Sequence, residues 1–243
     1  MAETGGLAAE ALVLRTGAAA FDETVAPGDI VGLAGLDGHG QDRFLECLAG
    51  LAAPTAGRVS LGGRPIGGFR DAAARGVAYL PRDRRSMGIF PNMSVIDNFG
   101  IASIDRDLRA GFISMKSRLR RYERLRQQLS IVAQSPGLPI TGLSGGNQQK
   151  VLLARLLARE PRILLLNDPT RGVDLATRHV LYAAFRQLAA TGLSLVVLSS
   201  EIEEAVGLCD RVLVFREQGL AARLAGADKT AARIIAAMFG RTA

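Results

Sequence analysis

Hydrophobic residues along the chain fall into short continuous runs that alternate with segments of helical periodicity. Residues 163–166 and 195–198 are unbroken runs of Leu, Ile and Val, which is typical of strands buried on both faces of a parallel sheet. Residues 176–190 repeat apolar positions at spacings of three and four, which predicts an amphipathic helix. This alternation predicts an α/β fold with a mainly parallel sheet and helices on both faces.

The rest of the chain continues the same alternation. A strand over 29–34 runs into a glycine-rich loop over 35–42 and then into a helix over about 42–51. Residues 54–63 predict a turn, a short strand and a Gly-Gly hairpin, and residues 91–140 suit a helical subdomain. Further predicted elements are strands at 12–14, 76–80 and 211–215, and helices at 94–99, 117–128, 148–160 and 230–239, with another helix that ends at 208.

Composition and charge leave several partner classes open. The net charge of +7 suits a nucleotide, nucleic acid or an anionic membrane, although a solvated basic surface explains most of it more simply. Five arginines of the 117–128 helix could likewise contact phospholipid or nucleic acid, but we favour a solvated face for them. They are Arg118, Arg120, Arg121, Arg124 and Arg126. The absence of Trp argues against single-stranded nucleic acid. No apolar run reaches the ~18 residues of a membrane span, and no secretory signal is present, so we expect the chain to serve a membrane only through a partner.

Two loop-to-helix junctions have the pattern of a phosphate site. The first junction, 35–42, places Gly35, Gly38 and Gly40 in a G-x-x-G-x-G pattern between a strand and a helix, where backbone N–H groups attract phosphate. The second is the LSGGNQQK sequence at 143–150. Its Ser-Gly-Gly-Asn residues, 144–147, are predicted to form a turn, with the helix starting at Gln148.

LSGGNQQK, followed by the strand 163–166, PTRGVD and SSE, resembles the ATP-binding cassette (ABC) ATPases. The closest resemblance is to the second nucleotide-binding half of duplicated importers for simple sugars or nucleosides. It extends over about 29–240 and implies a P-loop NTPase cassette with a small antiparallel β-subdomain and an inserted helical subdomain. We therefore expect a single nucleotide-binding domain over 1–243, with ATP and Mg²⁺ as cofactors.

The resemblance assigns roles to particular residues. Asp174 takes the D-loop position. A signature motif, which in the family acts in trans on the nucleotide of a second cassette, corresponds to Ser144, Gly145, Gly146, Asn147 and Gln148. Binding of the chain's own nucleotide is assigned to Gly35, Gly38, His39, Gly40, Gln41, Asp42 and Arg43.

This chain departs from the family at five charge-handling or catalytic positions. Gln41 replaces the Walker A Lys, Asp42 replaces the metal-binding hydroxyl, and Asn167 replaces the strand-end Asp. Asp168 stands in place of the catalytic Glu and Ser200 in place of the switch His. Asp42 and Asn167 would therefore hold Mg²⁺ weakly, Asp168 and Ser200 form a degenerate catalytic pair, and the chain's own ATPase activity is left open.

The resemblance also implies partners. We expect a second ABC cassette, a membrane permease and, indirectly, a solute-binding protein, with the chain at the inner face of the cell membrane and no nucleic acid. One alternative is a non-hydrolysing regulatory or binding module. A DNA-repair ABC ATPase is a weaker alternative, because the roughly 100 residues between the two junctions contain no sustained heptads of a long coiled coil.

Overall fold

The computed structural model describes residues 5–109 and 111–241, apart from the side chain of Arg85. The chain divides into two compact units. The first, here called the sheet unit, contains the chain up to Tyr79, residues 162–169, and the chain from Arg186 onward. The second, the helical unit, contains residues 80–161 and 170–185. The expectation of one domain with a helical part at 91–140 stays a prediction.

The sheet unit contains most of the strands and four of the described helices. Its strands are β1 (Leu7–Val13), β2 (Phe21–Val25), β3 (Ile30–Gly35), β4 (Ala56–Leu61), β5 (Arg64–Pro65), β6 (Val77–Leu80), β9 (Ile163–Asn167), β10 (Ser194–Leu198), β11 (Arg211–Arg216) and β12 (Gly219–Ala225). Its α-helices are α1 (Gln41–Leu48), α2 (Phe69–Ala74), α7 (Ile202–Leu208) and α8 (Ala231–Met238).

The helical unit contains a π-helical turn over Arg84–Gly88 and two short 3₁₀ segments, Ile101–Asp107 and Ile140–Gly142. Its other elements are α3 (Val95–Gly100), β7 (Leu108–Arg109), β8 (Phe112–Ile113), α4 (Met115–Gln128) and α5 (Gly145–Leu157). Helix α6 (Leu175–Ala190) belongs to this unit as far as Phe185.

A six-stranded sheet in the order β12-β11-β3-β10-β9-β6 forms the centre of the sheet unit. Strand β3 pairs in parallel with β10 and β11, and β10 pairs in parallel with β9, whereas β11 and β12 are antiparallel. A separate antiparallel sheet has the order β2-β1-β4-β5. The predicted α/β class, with a mainly parallel sheet and a small antiparallel one, is confirmed.

The core of the sheet unit is built from apolar residues of both sheets and of α1. The rings of Phe21, Phe44 and Phe215 lie 5.2–5.9 Å apart in tilted and edge-on arrangements. Such contacts favour edge-to-face geometry and help to fix how α1 packs. Among the described residues, no helix is long and apolar enough to cross a membrane.

The sequence prediction missed strands β2, β7, β8 and β12 and helix α2. Strand β12 is a sheet edge with an alanine-rich sequence and half-exposed residues, so it lacks the β-branched run that marks an interior strand. Strands β7 and β8 are two residues each, which is too short for a periodic signal.

Helix α5 begins at Gly145, three residues earlier than predicted. The Ser144 hydroxyl accepts a hydrogen bond from the Asn147 N–H at 3.4 Å, which is the bond of an N-cap residue. The predicted turn is therefore the capped first turn of the helix. The two glycines lowered the local helical propensity, but the cap and the packing around them override it.

The prediction that the α4 arginines form a solvated face is wrong for Arg118. Its side chain is buried and its guanidinium donates to the carboxylate of Asp107 at 2.8 Å; Arg121 donates to the same carboxylate at 2.5 Å. Asp107 is itself fully buried, so the cluster satisfies the general rule that buried charges are paired. Helical spacing could not reveal this, because the acid comes from another element.

Candidate functional site

The loop between β3 and α1, which was predicted to bind phosphate, contains two glycines in the left-handed region of backbone conformation. Gly38 and Gly40 have φ of 77° and 113°, which side-chain-bearing residues rarely adopt. No atom lies within 4 Å of where a Cβ on Gly38 would be. Helix α1 starts at Gln41 with no side-chain cap from Gly40, so its N-terminal N–H groups present partial positive charge toward this loop.

Gln41 is turned into the loop instead of out of it. Its side chain is buried, and Nε2 donates to the carbonyl oxygen of Leu36 at 2.9 Å and more weakly to that of Gly35 at 3.4 Å. The other amide atom, Oε1, is buried and has no hydrogen-bond partner among the described residues. The position at which the family has its Lys thus holds a neutral amide that donates to the loop's own carbonyls.

Gln218 is a site residue that sequence reasoning missed. It lies in the β11–β12 turn, where its N–H donates to the carbonyl of His39 at 2.9 Å and its Nε2 donates to the carbonyl of Gly38. A Cβ on Gly40 would lie 3.0 Å from the Gln218 Cα. These contacts hold the β11–β12 turn against the loop. No signal in the sequence connects two segments about 180 residues apart.

Arg43 and His39, two other residues assigned to nucleotide binding, make different contacts. The Arg43 side chain donates to the carbonyls of Leu14 and Ala53, at 2.8 and 3.0 Å, so it connects α1 to the backbone of two neighbouring segments. The His39 Nδ1 atom is buried without a hydrogen-bond partner in the described part of the chain. The assignment of both residues to nucleotide binding stays a prediction.

Asp42 and Asn167, the proposed metal pair, are brought together. Asn167 ends β9, and its Nδ2 lies 3.5 Å from Asp42 Oδ1 and 3.4 Å from the Tyr79 hydroxyl. The Asn167 Oδ1 atom is buried without a hydrogen-bond partner in the described residues. Burial raises the pKa of Tyr79, against the effect of its hydrogen bond with Asn167. One carboxylate and one orphaned carbonyl oxygen are hard donors of the kind that Mg²⁺ accepts.

Asp168 and Ser200 contact each other at the ends of β9 and β10. The Ser200 hydroxyl lies 3.0 and 3.1 Å from the two carboxylate oxygens of Asp168, and the Ser200 N–H donates to the same carboxylate at 3.3 Å. Asp168 is buried and has a left-handed φ of 53°. Both predicted catalytic residues are therefore neighbours, and the carboxylate is held by its own chain.

In the helical unit, the polar residues of the LSGGNQQK segment hydrogen-bond to one another and to nearby backbone. Asn147 donates from Nδ2 to the Ser144 hydroxyl at 3.1 Å and accepts at Oδ1 from the Val132 N–H at 2.8 Å. The Gln148 side chain donates to the carbonyl of Leu143 at 3.1 Å. The segment is a preformed, capped helix start.

The glycines of the segment allow two close approaches. A Cβ on Gly145 would lie 2.5 Å from a guanidinium nitrogen of Arg84, and one on Gly146 would lie 2.9 Å from the Thr177 methyl. Thr177 is in turn held by Asp174, whose carboxylate accepts from its N–H at 2.9 Å and from its hydroxyl at 2.8 Å. These bonds lower the pKa of Asp174. The predicted D-loop residue thus lies beside the predicted signature.

Comparison with known proteins gives these segments a common context. A family model described as "ABC transporter" matches residues 19–171. A ribose import ATP-binding protein of Rhizobium johnstonii is 40% identical over 84% of this chain and 41% of its own length. A putative ribose/galactose/methyl galactoside import ATP-binding protein of Agrobacterium fabrum is 38% identical over 89% of this chain and 44% of its own.

The fold has solved counterparts. A dimeric ATP-binding cassette, solved in a post-hydrolysis state with ADP and phosphate, superposes with a TM-score of 0.76 at 19% identity, covering 89% of this chain and 97% of the other. The present chain spans about two fifths of the length of the curated relatives it matches. The family model covers more than half of the chain and the relatives exceed 30% identity, so the chain belongs to the ABC transporter family of ATP-binding cassettes.

Proposed function

We propose that this chain is one ATP-binding cassette of an importer for ribose or related simple sugars. The names of its relatives support this, and the chain would be either one half of a two-cassette protein, as those longer relatives favour, or a stand-alone subunit that pairs with another cassette. Its partners would be a second cassette, a membrane permease and, through the permease, a solute-binding protein. It would work at the inner face of the cell membrane and would bind no nucleic acid.

In this proposal the chain's own nucleotide site is weak. A hydrogen bond to a charged group contributes ~1.5–3 kcal/mol, so replacing the family's Lys by Gln41 weakens phosphate binding by about tenfold to a hundredfold. The inward turn of Gln41, which donates to the loop's carbonyls, supports this view.

Asp42 would supply a carboxylate to Mg²⁺, and Asn167 would supply its amide oxygen after rotation of the side-chain amide, whose Nδ2 is the atom nearest Asp42 in this structure. The family has a neutral hydroxyl and an Asp at these positions, so the pair keeps one negative charge but moves it from the strand end to the helix start. The bound ion would supply neutralisation of phosphate charge. Asp168 has a shorter side chain than the family's Glu and is engaged by Ser200, so the chain alone should have negligible turnover.

The signature segment would then serve the nucleotide of a partner cassette. Ser144, Gly145, Gly146, Asn147 and Gln148 would face the γ-phosphate bound by a chain that retains the Walker A Lys, with Asp174 beside them. One observation carries this proposal: hydrogen bonds of the Ser144, Asn147 and Gln148 side chains order the start of α5, whereas the Gln41 amide donates to carbonyls of the loop that would bind the chain's own phosphate. The pair would contain one hydrolysing site and one silent site.

The test mixes this chain with a cassette that retains the Walker A Lys and measures phosphate release. Ser144→Arg should abolish the stimulated activity, because its long cation fills the phosphate position, and Gln41→Ala should leave most of it. Ser135→Arg, at an exposed loop serine, is the matched control.

Equal damage from Gln41→Ala and Ser144→Arg would overturn the division of labour between the two sites. Absence of any stimulation by the wild-type chain would instead favour the non-hydrolysing regulatory module. A permease that copurifies with the chain would support the importer assignment independently of both results.

A further inference from the structure

One exposed surface of the helical unit contains none of the residues assigned to the nucleotide and signature sites. It comprises the exposed and half-exposed residues of 104–109 and 111–126, from the end of the 3₁₀ segment through β7, β8 and most of α4, and is here called the 104–126 patch. Without the buried Arg118 and Asp107 it contains seven Arg and Lys against two Asp and Glu, a net charge of +5, whereas the whole chain has +7. Most of the excess positive charge of the protein is therefore concentrated in a tenth of its length.

The patch also exposes large apolar side chains. Phe112 is 80% exposed, and four others, each more than two fifths exposed, are Leu108, Ile113, Met115 and Leu119. The hairpin register pairs Leu108 with Ile113 and Arg109 with Phe112. Exposed apolar clusters of this kind mark interaction surfaces on soluble domains.

The charged and apolar residues lie in adjacent stripes on α4. Met115 and Leu119 are four residues apart and so share one face of the helix, and Lys116, Arg120 and Arg124 follow the same spacing on the neighbouring face. Tyr122 and Leu125 continue the apolar line into the core of the helical unit, so only the N-terminal part of α4 exposes apolar side chains beside the basic ones. An exposed pairing of basic and apolar side chains suits binding at a lipid interface.

The basic stripe continues into a cleft of about 560 Å³. Five guanidiniums line it, those of Arg106, Arg109, Arg120, Arg121 and Arg124, and Glu160 is the acid that lines it with them. Glu160 pairs with Arg106 at 2.6 Å and lies 3.9 Å from Arg124. Arg121 is also paired with the buried Asp107, so two carboxylates offset the five cations and the cleft retains a positive field that suits phosphate groups.

We infer that the 104–126 patch binds the surface of an anionic phospholipid bilayer. Phe112 and Ile113 enter the boundary between headgroups and acyl chains, while the arginines and Lys116 contact lipid phosphates. A nucleic acid would satisfy the cations equally, but it would leave the aliphatic side chains of Leu108, Ile113 and Met115 in water. Binding at a lipid interface accounts for both the charged and the apolar side chains of the surface. This inference does not depend on the proposed import function.

The chain contains no Trp, so a single introduced Trp reports on its own surroundings. Phe112→Trp is tested with vesicles of phosphatidylcholine alone and of phosphatidylcholine with phosphatidylglycerol. Its emission should shift to the blue with the anionic vesicles only. Phe239→Trp replaces another exposed Phe, 59% exposed and outside the patch, and its emission should not shift.

Vesicle cosedimentation then tests the charges. The double change Arg120→Glu with Arg124→Glu should weaken binding by at least about twenty-five-fold, because each basic residue near an anionic surface contributes about fivefold. Arg15→Glu with Arg70→Glu alters the net charge equally at exposed arginines of the sheet unit and should change binding far less. Raised salt should release the wild-type chain from the vesicles.

Three results would overturn the inference. The first is absence of binding to anionic vesicles, and the second is an equal loss from the two charge-reversal pairs, which would show attraction by net charge alone. The third is tight binding to RNA that depends on Arg120 and Arg124, combined with an unshifted Phe112→Trp emission on vesicles; that result would assign the surface to nucleic acid.

Discussion

Gln41 shows how one residue changes the chemistry of a conserved-looking loop. An amide has no net charge, and here its donor atom is used by the carbonyls of Leu36 and Gly35. The glycine frame and the helix N-terminus remain favourable to an anion. The loop therefore has the glycines predicted for a phosphate site and a neutral amide in place of the family's Lys, so this residue is the place to test the silent-site proposal.

Gln41→Lys should tighten Mg-ATP binding by about tenfold to a hundredfold, because it adds a hydrogen bond from a charged donor worth ~1.5–3 kcal/mol. Isothermal titration of the purified chain measures the change. Gln41→Ala removes the two loop hydrogen bonds without adding charge, so its affinity should stay as weak as that of the wild type. An affinity that does not respond to the Lys would mean that another group, such as Asp42, limits binding.

At the scale of elements, Arg155 connects α5, the helix that starts at the predicted signature, to α3 and to the segment that precedes it. Its buried guanidinium donates to the carbonyl of Gly88 at 2.6 Å, and to the carbonyl and side-chain oxygens of Asn98 at 2.5 and 2.8 Å. Asn98 in turn holds the carbonyls of Phe90, Met93 and Ser94. Burial lowers the pKa of Arg155 to about 10. A displacement of this segment would therefore be transmitted to α5 through the hydrogen bonds of Arg155.

Arg155→Ala should lower the free energy of unfolding by about 3 kcal/mol or more, since several buried acceptors lose their donor at ~1–3 kcal/mol each. Urea unfolding followed by circular dichroism measures it. Arg159→Ala, at an exposed arginine one turn later, should cost less than about 1 kcal/mol. Equal effects of the two changes would show that the cost of burying the Arg155 charge cancels its hydrogen bonds.

At the scale of the whole molecule, two free thiols report on the sheet unit. Cys47 on α1 and Cys209 after α7 are both buried. Desolvation by burial raises the pKa of Cys47 from 9.0 to about 11 and that of Cys209 from 9.0 to about 12. The reactive thiolate is therefore disfavoured in the folded chain.

Neither thiol should react with a disulfide reagent at pH 8 in the native protein, and both should react in denaturant. The folded pKa values are raised, so the thiols' contribution to stability is complete below pH 9 and is lost as the pH rises from 9 toward 11 and 12. Cys47→Ala and Cys209→Ala, measured singly, assign the two signals and should flatten this decline. Rapid native labelling at pH 8 would show that the sheet unit opens readily.

The sequence by itself determined the features that depend on near neighbours. The buried strands β9 and β10, the β3–loop–α1 junction and the Ser94 cap of α3 all follow from apolar periodicity, glycine placement and local hydrogen bonds. Each is encoded within a few residues, so it could be predicted before any contact was known. The motif order that indicated the ABC family is likewise a property of the linear chain.

The tertiary structure alone decided which polar groups meet. Several contacts join segments that are distant in sequence: the hydrogen bonds of Gln218 to the loop at 35–42, those of the buried Arg118 and Arg155, and those between Asp168 and Ser200. A polar side chain is buried only where a distant segment supplies its partner. Hydrophobic periodicity contains no information about that partner. The backbone elements of the candidate site could therefore be predicted, whereas the hydrogen bonds between its side chains could not.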